Sequence, residues 1–436
     1  MRRRLISLLA VFVLVAVAAA GTALAAGTRR QMELVGTTGI SPGRFTADVD
    51  VDTARNVAYV GALSNQGVAV VDISDRSEPV VVHTLDTNYG GLASDSIDVK
   101  VRGDLLAVAN EPFEEGARAG VTLYDVSTPF DPVEGDHFTA EGGTHNVFID
   151  PLFPGRPYVY LANMGGTNTA MIVDVSGSPT LVAELLPSDE SVGCQVANCG
   201  IFGGPFAGAH DLFVQSHPDT GRVLAYVAYW DAGLRIYDVT DAAAPVEIGV
   251  FDVDPAPGDP ERLPCCVHYA QPTPSGDFVL YEEEVAVGDT GDVHILDASG
   301  CDGVGICTLT LLSSWQSPQG HARQAPSYEA FVRTGAFNFG WLQRFFTWDV
   351  HNLDVQENQF VAAAYSAGIR LVDISDKSNP TEIAFFMPSS NVKDAEKIGF
   401  QGREVWTARF GGDGLIYASD FWTGFYVVKT VSVGKP

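Results

Sequence analysis

Residues 67–79 read GVAVVDISDRSEP, and residues 368–380 read GIRLVDISDKSNP. The order is the same in both: glycine, alternating apolar residues, aspartate, an apolar residue, serine, then proline. Each element has a physical purpose. Glycine lets the chain leave a tight turn. The β-branched residues form a strand. Aspartate and serine accept backbone N–H groups and end that strand in a turn. Proline opens the following, outermost strand, where a missing N–H costs little.

Working outward, the pattern recurs as GVTLYDVSTPFDP (120–132), AMIVDVSGSP (170–179), GLRIYDVTDAAAP (233–245) and DVHILDAS (292–299). A seventh copy, GFYVVKT (424–430), has Lys429 where the others have Asp72, Asp125, Asp174, Asp238, Asp297 and Asp373. Intervals of 49 to 76 residues between these aspartates suit one four-stranded unit plus loops of variable length. Upstream of each copy lies a second apolar strand (VAYVGA, LLAVAN, YVYLAN, AYVAYW, FVLYEE, FVAAAY and LIYASD). Upstream again comes an inner strand such as GTHNVFID or GAHDLFV. Helical periodicity is absent beyond the N-terminus, short pieces in 317–345 excepted.

The expected fold is all-β, a seven-bladed β-propeller forming one domain over 26–436. The last unit has only three strands. Residues 31–36 (QMELVG) are expected to supply its fourth, beside 424–430, and so close the ring from both termini.

The VVDISD and LVDISD copies resemble the LVIVD-repeat family of bacterial secreted propellers. So do AYVAYWDAGLRIYDV (225–239), VAAAYSAGIRLVDISDKSNP (361–380) and LIYASDFWTGFYVV (415–428). The resemblance covers roughly residues 32–432. It implies the fold and an extracellular setting, and carries no activity. The chain departs from the pattern at Lys429 and in its long cysteine-bearing insertions.

Residues 1–25 have three arginines, an apolar run and the end Ala23-Leu24-Ala25, the layout of a cleaved signal peptide. A secreted, extracellular protein is expected, with no membrane span after cleavage. The formal charge is −28, or about −31 without Arg2, Arg3 and Arg4. Such a surface repels nucleic acid and argues for a soluble monomer. Six cysteines behind an export signal imply disulfides. Cys194–Cys199 and Cys301–Cys307 can each close a short loop; Cys265-Cys266 is left without a set connectivity.

Nine histidines occur in the chain. Four of them, His145, His210, His268 and His351, open the innermost strands of consecutive blades, three to six. The same column holds Ala47, Ile97 and Trp406 in the other blades. Side chains at the ends of the second strands converge on that rim: Asn163, Tyr229, Glu283 and Tyr365. The long loops 186–209, 252–267 and 317–349 lie on the same face, with His321 and the aromatic-rich stretch 331–348. An elaborated face is where a small molecule or protein partner is expected.

Imidazoles at one height around one axis suit iron, copper or zinc. Glu282, Glu283 or Glu284 in LYEEEV can supply the carboxylate that such ligands need, with Glu283, which ends the strand, and Tyr229 as the expected outer partners. The layout is similar to that of carotenoid cleavage oxygenases, propellers that hold iron with four histidines, and of the selenium-binding and methanethiol oxidase proteins. Two functions follow: a binding or interaction protein with a histidine metal site, or a metal-dependent oxidoreductase or oxygenase. A histidine inherited as a structural hydrogen-bonder explains the column equally well, although blades one, two and seven do without it. No P-loop, dinucleotide, GxSxG or HExxH motif is present.

Overall fold

The computed structural model describes residues 30–40, 45–63, 67–87, 92, 94–112, 114–164, 167–188, 208–230, 232–251, 267–284, 291–317, 350–389 and 403–430. The predicted leader, Cys194, Cys199, Cys265, Cys266, His321 and the stretch 331–348 lie outside these residues.

Seven antiparallel sheets form the blades, inner strand to outer strand. Blade 1 comprises Thr46–Asp52, Val57–Ala62, Val68–Asp72 and Val80–Leu85. Blade 2 is Val99–Arg102, Leu105–Pro112, Gly120–Asp125 and Val133–Thr139. Blade 3 is Asn146–Ile149, Tyr158–Ala162, Ala170–Asp174 and Thr180–Leu185. Blade 4 is Asp211–Ser216, Val223–Ala228, Leu234–Asp238 and Val246–Phe251. Blade 5 is Val267–Pro272, Phe278–Glu283, Val293–Asp297 and Thr310–Trp315. Blade 6 is Asn352–Gln356, Gln359–Ala363, Ile369–Asp373 and Thr381–Phe386. Blade 7 takes Val405–Phe410, Leu415–Asp420 and Gly424–Lys429 from the C-terminal end and Glu33–Thr38 from the N-terminal end.

The expected closure therefore forms, two residues further along than 31–36. The residues just before it, Arg30–Gln31, pair in parallel with the outer strand of blade 6. The innermost strands neighbour one another in a closed ring.

The repeat acts as its chemistry requires. The six repeat aspartates each accept the backbone N–H two residues on, at 2.7–3.0 Å. Gly67 and Gly368 have φ of 76° and 84°. A Cβ there would stand 1.9 Å from the Leu85 carbonyl oxygen and 2.3 Å from that of Phe386. The proline follows and the outer strand begins directly after it in blades 1, 2, 3, 4 and 6. A bulge then separates the third and outer strands in every blade, which increases twist.

The core is divided in the same way. Seven apolar clusters among the described residues each lie between two neighbouring blades. The Cys301–Cys307 disulfide forms as expected, with Cys301 and Cys307 packed in the cluster between blades 4 and 5. Among the described residues no helix is long and apolar enough to cross a membrane.

Candidate metal centre

His145, His210 and His351 stand directly before the innermost strands of blades 3, 4 and 6. Each is fixed by its own N–H, which donates to the second strand: to Ala162 O at 2.9 Å, Ala228 O at 2.8 Å and Ala363 O at 2.8 Å. His268 is the second residue of the inner strand of blade 5, at a bulge between Val267 and Tyr269.

The four rings form an arc. Successive centroids are 4.4 Å apart for His145 and His210, 4.1 Å for His210 and His268, and 4.7 Å for His268 and His351. All four line one cavity with Asp48, Asp211, Asn352 and Trp406. Ile97 and Trp406, the column members of blades 2 and 7, line it too.

Every Nδ1 is engaged. That of His145 lies 2.9 Å from Glu111 Oε2, and that of His210 lies 3.1 Å from His268 O. That of His351 lies 2.7 Å from Trp406 O, and that of His268 is hydrogen-bonded to Glu282 Oε1. Carboxylates and carbonyls only accept, so each Nδ1 must carry hydrogen. In a neutral ring the lone pair then sits on Nε2, the arrangement of a metal-ligating histidine.

Burial keeps three of the rings neutral. It is the main cause holding His210 and His268 well below the ordinary histidine range, with further depression from neighbouring imidazoles. It pushes His351 down to about 3. Burial is the largest single influence on His145 too, but the carboxylates of Glu111, Asp211 and Glu284, Glu111 foremost, together outweigh it and the net shift is upward. Burial raises Glu284 to about 7. One ligand atom each from His210, His268 and Glu284 lies within 4.8 Å of the others, close enough for these three to hold a metal ion together.

Two expected partners sit elsewhere. Glu283 points to His294, with Oε1 3.3 Å from Nε2. Side chains alternate along a strand, so Glu282 and Glu284 share the face that meets His268 and Glu283 takes the other. The bulge at His268 sets which is which, by pairing Val267 with Glu283 and Tyr269 with Glu282. Tyr229 lies in the core cluster between blades 3 and 4 and donates its hydroxyl to Leu185 O. Its neighbour Trp230 takes the rim, 4.7 Å from the His210 ring and 6.2 Å from that of His268. Tyr365 is at the rim as expected, 5.1 Å from the His351 ring, and hydrogen-bonds Glu284.

Trp230 and Tyr365 have φ of 51° and 37°, a region unfavourable to bulky side chains. A signal for Trp230 existed in the sequence. Counting three residues back from Gly233 and Gly368 aligns Trp230 with Tyr365. Glu111, the last residue but one of the second strand of blade 2, had no such signal.

On the wall of the same cavity, Asp48 accepts from Lys100 Nζ at 2.8 Å, Thr407 Oγ1 at 2.7 Å and Arg409 Nη2 at 3.3 Å. Burial opposes ionisation of Asp48, but Arg409 and Lys100 hold its carboxyl far below the usual range.

The family description "LVIVD repeat" matches residues 48–87, 224–253 and 349–387. No curated protein matches the chain. Among solved structures, the β-propeller domain of Cps50 (Swd1) from Myceliophteria thermophila is 12% identical, with a TM-score of 0.54 over 91% of this chain and 99% of that one. The computationally designed Ika8 protein is 11% identical, with a TM-score of 0.47 over 88% of this chain and 83% of its own. The first of these bears on the fold alone. The chain is thus a seven-bladed β-propeller with LVIVD-repeat matches in blades 1, 4 and 6.

Proposed function

We propose that this propeller is a secreted metal-binding protein. It holds one late first-row transition metal, iron, copper or zinc, at the histidine rim of its channel, and offers that metal to a small molecule or protein partner. The observation that carries the reading is the common anchoring of Nδ1 in His145, His210, His268 and His351. In His210, His268 and His351, the rings that burial keeps neutral, the Nε2 lone pair is thereby left for one cavity, and His145 joins them on deprotonation. His210, His268 and Glu284 are the tightest group, and His145 and His351 flank it. Glu111 and Glu282 serve as the outer acceptors that orient two of the rings. The signal-like N-terminus and the Cys301–Cys307 disulfide support an extracellular setting.

Metal analysis of full-length protein purified without chelators tests this. About one equivalent is expected, and His210→Ala should lower uptake at least about tenfold without unfolding the ring. Protein that holds no stoichiometric metal, and takes up neither zinc, copper nor ferrous iron, overturns the reading.

A second reading, a metal-dependent oxidoreductase or oxygenase, is favoured by one observation. Trp230 and Tyr365 crowd the imidazoles in strained backbone conformations, which gather at reactive sites. Oxygen consumption by metal-loaded protein separates the two readings.

A further inference from the structure

Aligning the blades on their repeat glycines shows a second column beside the histidines. Trp230, Tyr365 and Phe421 stand three residues before Gly233, Gly368 and Gly424, in blades 4, 6 and 7. In blade 7 this aromatic joins a stack. Trp406, on the wall of the histidine cavity, lies 3.9 Å centroid to centroid from the His351 ring. Phe421 stacks on Trp406 at 5.5 Å, and Phe45 stacks on Phe421 at 4.8 Å. Trp422 meets both phenylalanines edge-on, at 5.2 Å from each. All four rings are partly exposed, so the stack runs from the cavity towards solvent.

The stack is built to stay in place. Asp420 Oδ1 accepts the N–H groups of Trp422 and Thr423 at 3.0 and 2.9 Å. Phe421 donates its N–H to Glu404 O at 2.8 Å, and its own carbonyl accepts from Thr46 N at 3.1 Å. On the far side of the histidines, the indole N–H of Trp230 is buried and meets no acceptor among the described residues. A buried donor without a partner is costly and calls for an oxygen to satisfy it.

We propose that the wall of Trp406, Phe421, Phe45 and Trp422 beside the histidines is a binding site for an uncharged phenolic ring. The ring packs on the aromatic stack, and its hydroxyl oxygen is directed to the histidine side. Aromatic rings recognise a planar π-system by offset stacking or edge contact. The formal charge of −28 and the Asp211 carboxyl on the cavity wall disfavour a carboxylate ligand. Ligation of the phenolic oxygen to metal rests on the metal site proposed above; the stacking does not.

Titration calorimetry on the full chain, metal-free and zinc-loaded, tests the site with phenol and catechol as probes and cyclohexanol and benzoate as comparators. Phenol is expected to bind both forms, and catechol to bind the zinc-loaded form at least about tenfold more tightly than the metal-free one, because two oxygens can chelate. Phe421→Ala should weaken phenol about tenfold. Phe421→Leu, which keeps most of the packing, should weaken it measurably while circular dichroism stays native. The proposal is overturned if phenol binds neither form, if cyclohexanol or benzoate binds as well as phenol, or if Phe421→Leu changes nothing. Phenol binding by protein that takes up neither zinc, copper nor ferrous iron would sink the metal reading and leave the aromatic site standing. Zinc uptake without phenol binding would do the reverse.

Discussion

Blades 3 to 6 and blades 7, 1 and 2 are made from one repeat, yet their channel faces do opposite things. In the first arc, imidazoles face one another and every Nδ1 is hydrogen-bonded. In the second, Asp48, Lys100 and Arg409 satisfy each other across three blades. Compensated charges at an inner-strand position hold a fold together. The imidazoles stand one to three positions earlier, at the place that Ala47, Ile97 and Trp406 take in the other blades. The difference does not lie in burial, since His145, Lys100 and Arg409 are similarly part-buried, with side chains 16%, 13% and 12% exposed, and Asp48, His210, His268 and His351 are buried.

The largest effect should come from the compensated arc. Arg409→Met leaves Asp48 and Asp50 without one of their cations, and removing one partner of a buried charge group costs about 3–5 kcal/mol. Chemical denaturation should show that loss in the metal-free protein. A cost under about 1 kcal/mol would erase the contrast between the arcs.

In the histidine arc the cost should fall on binding instead. Glu282→Gln weakens the acceptor behind His268 and should lower metal affinity about 10–100-fold, read by competition with a chelator. An unchanged affinity would make Glu282 a packing residue only.

Acid should separate the arcs next. Folded His351 stays neutral down to about 3, whereas an unfolded histidine takes its proton near 6.5. Between those values the unfolded chain binds more protons, so stability falls as the pH drops from about 6.5 to about 3. The slope for one such group is at most about 1.4 kcal/mol per pH unit. His210 and His268 are shifted in the same direction and add to it. His145, shifted upward by Glu111, opposes them just above the ordinary range. Denaturation midpoints measured from pH 7 to 4 check the sign, and His351→Gln should flatten the curve.

The smallest effect is expected where the repeat itself lapses. Lys429 replaces the turn aspartate and pairs with Glu33 at 3.3 Å, but the two side chains are 45% and 56% exposed. Lys429→Ala should therefore change stability by less than about 1 kcal/mol. A larger loss would mean that ring closure depends on this surface pair.

The architecture was legible in the sequence because a repeat writes nearly the same local physics in one blade after another. Alternating apolar residues, a glycine needing positive φ, an aspartate capping its own turn and a proline at the outer edge leave few other folds. The short seventh unit also announced its missing strand. The histidine column was legible for the same reason, since equal positions in consecutive blades must lie at equal height. What surrounds each histidine was decided only in three dimensions. A one-residue bulge at His268 determines whether Glu282 or Glu283 meets the ring, because side chains change face at every step along a strand. Trp230 rather than Tyr229 reaches the rim through a left-handed backbone conformation; its spacing from Gly233 marked the position, but the turn that swings it to the rim is a tertiary feature. Glu111 meets His145 from the neighbouring blade, 34 residues earlier in the chain. Contacts between blades are set by how the ring closes, and a repeat seen one copy at a time does not contain that information.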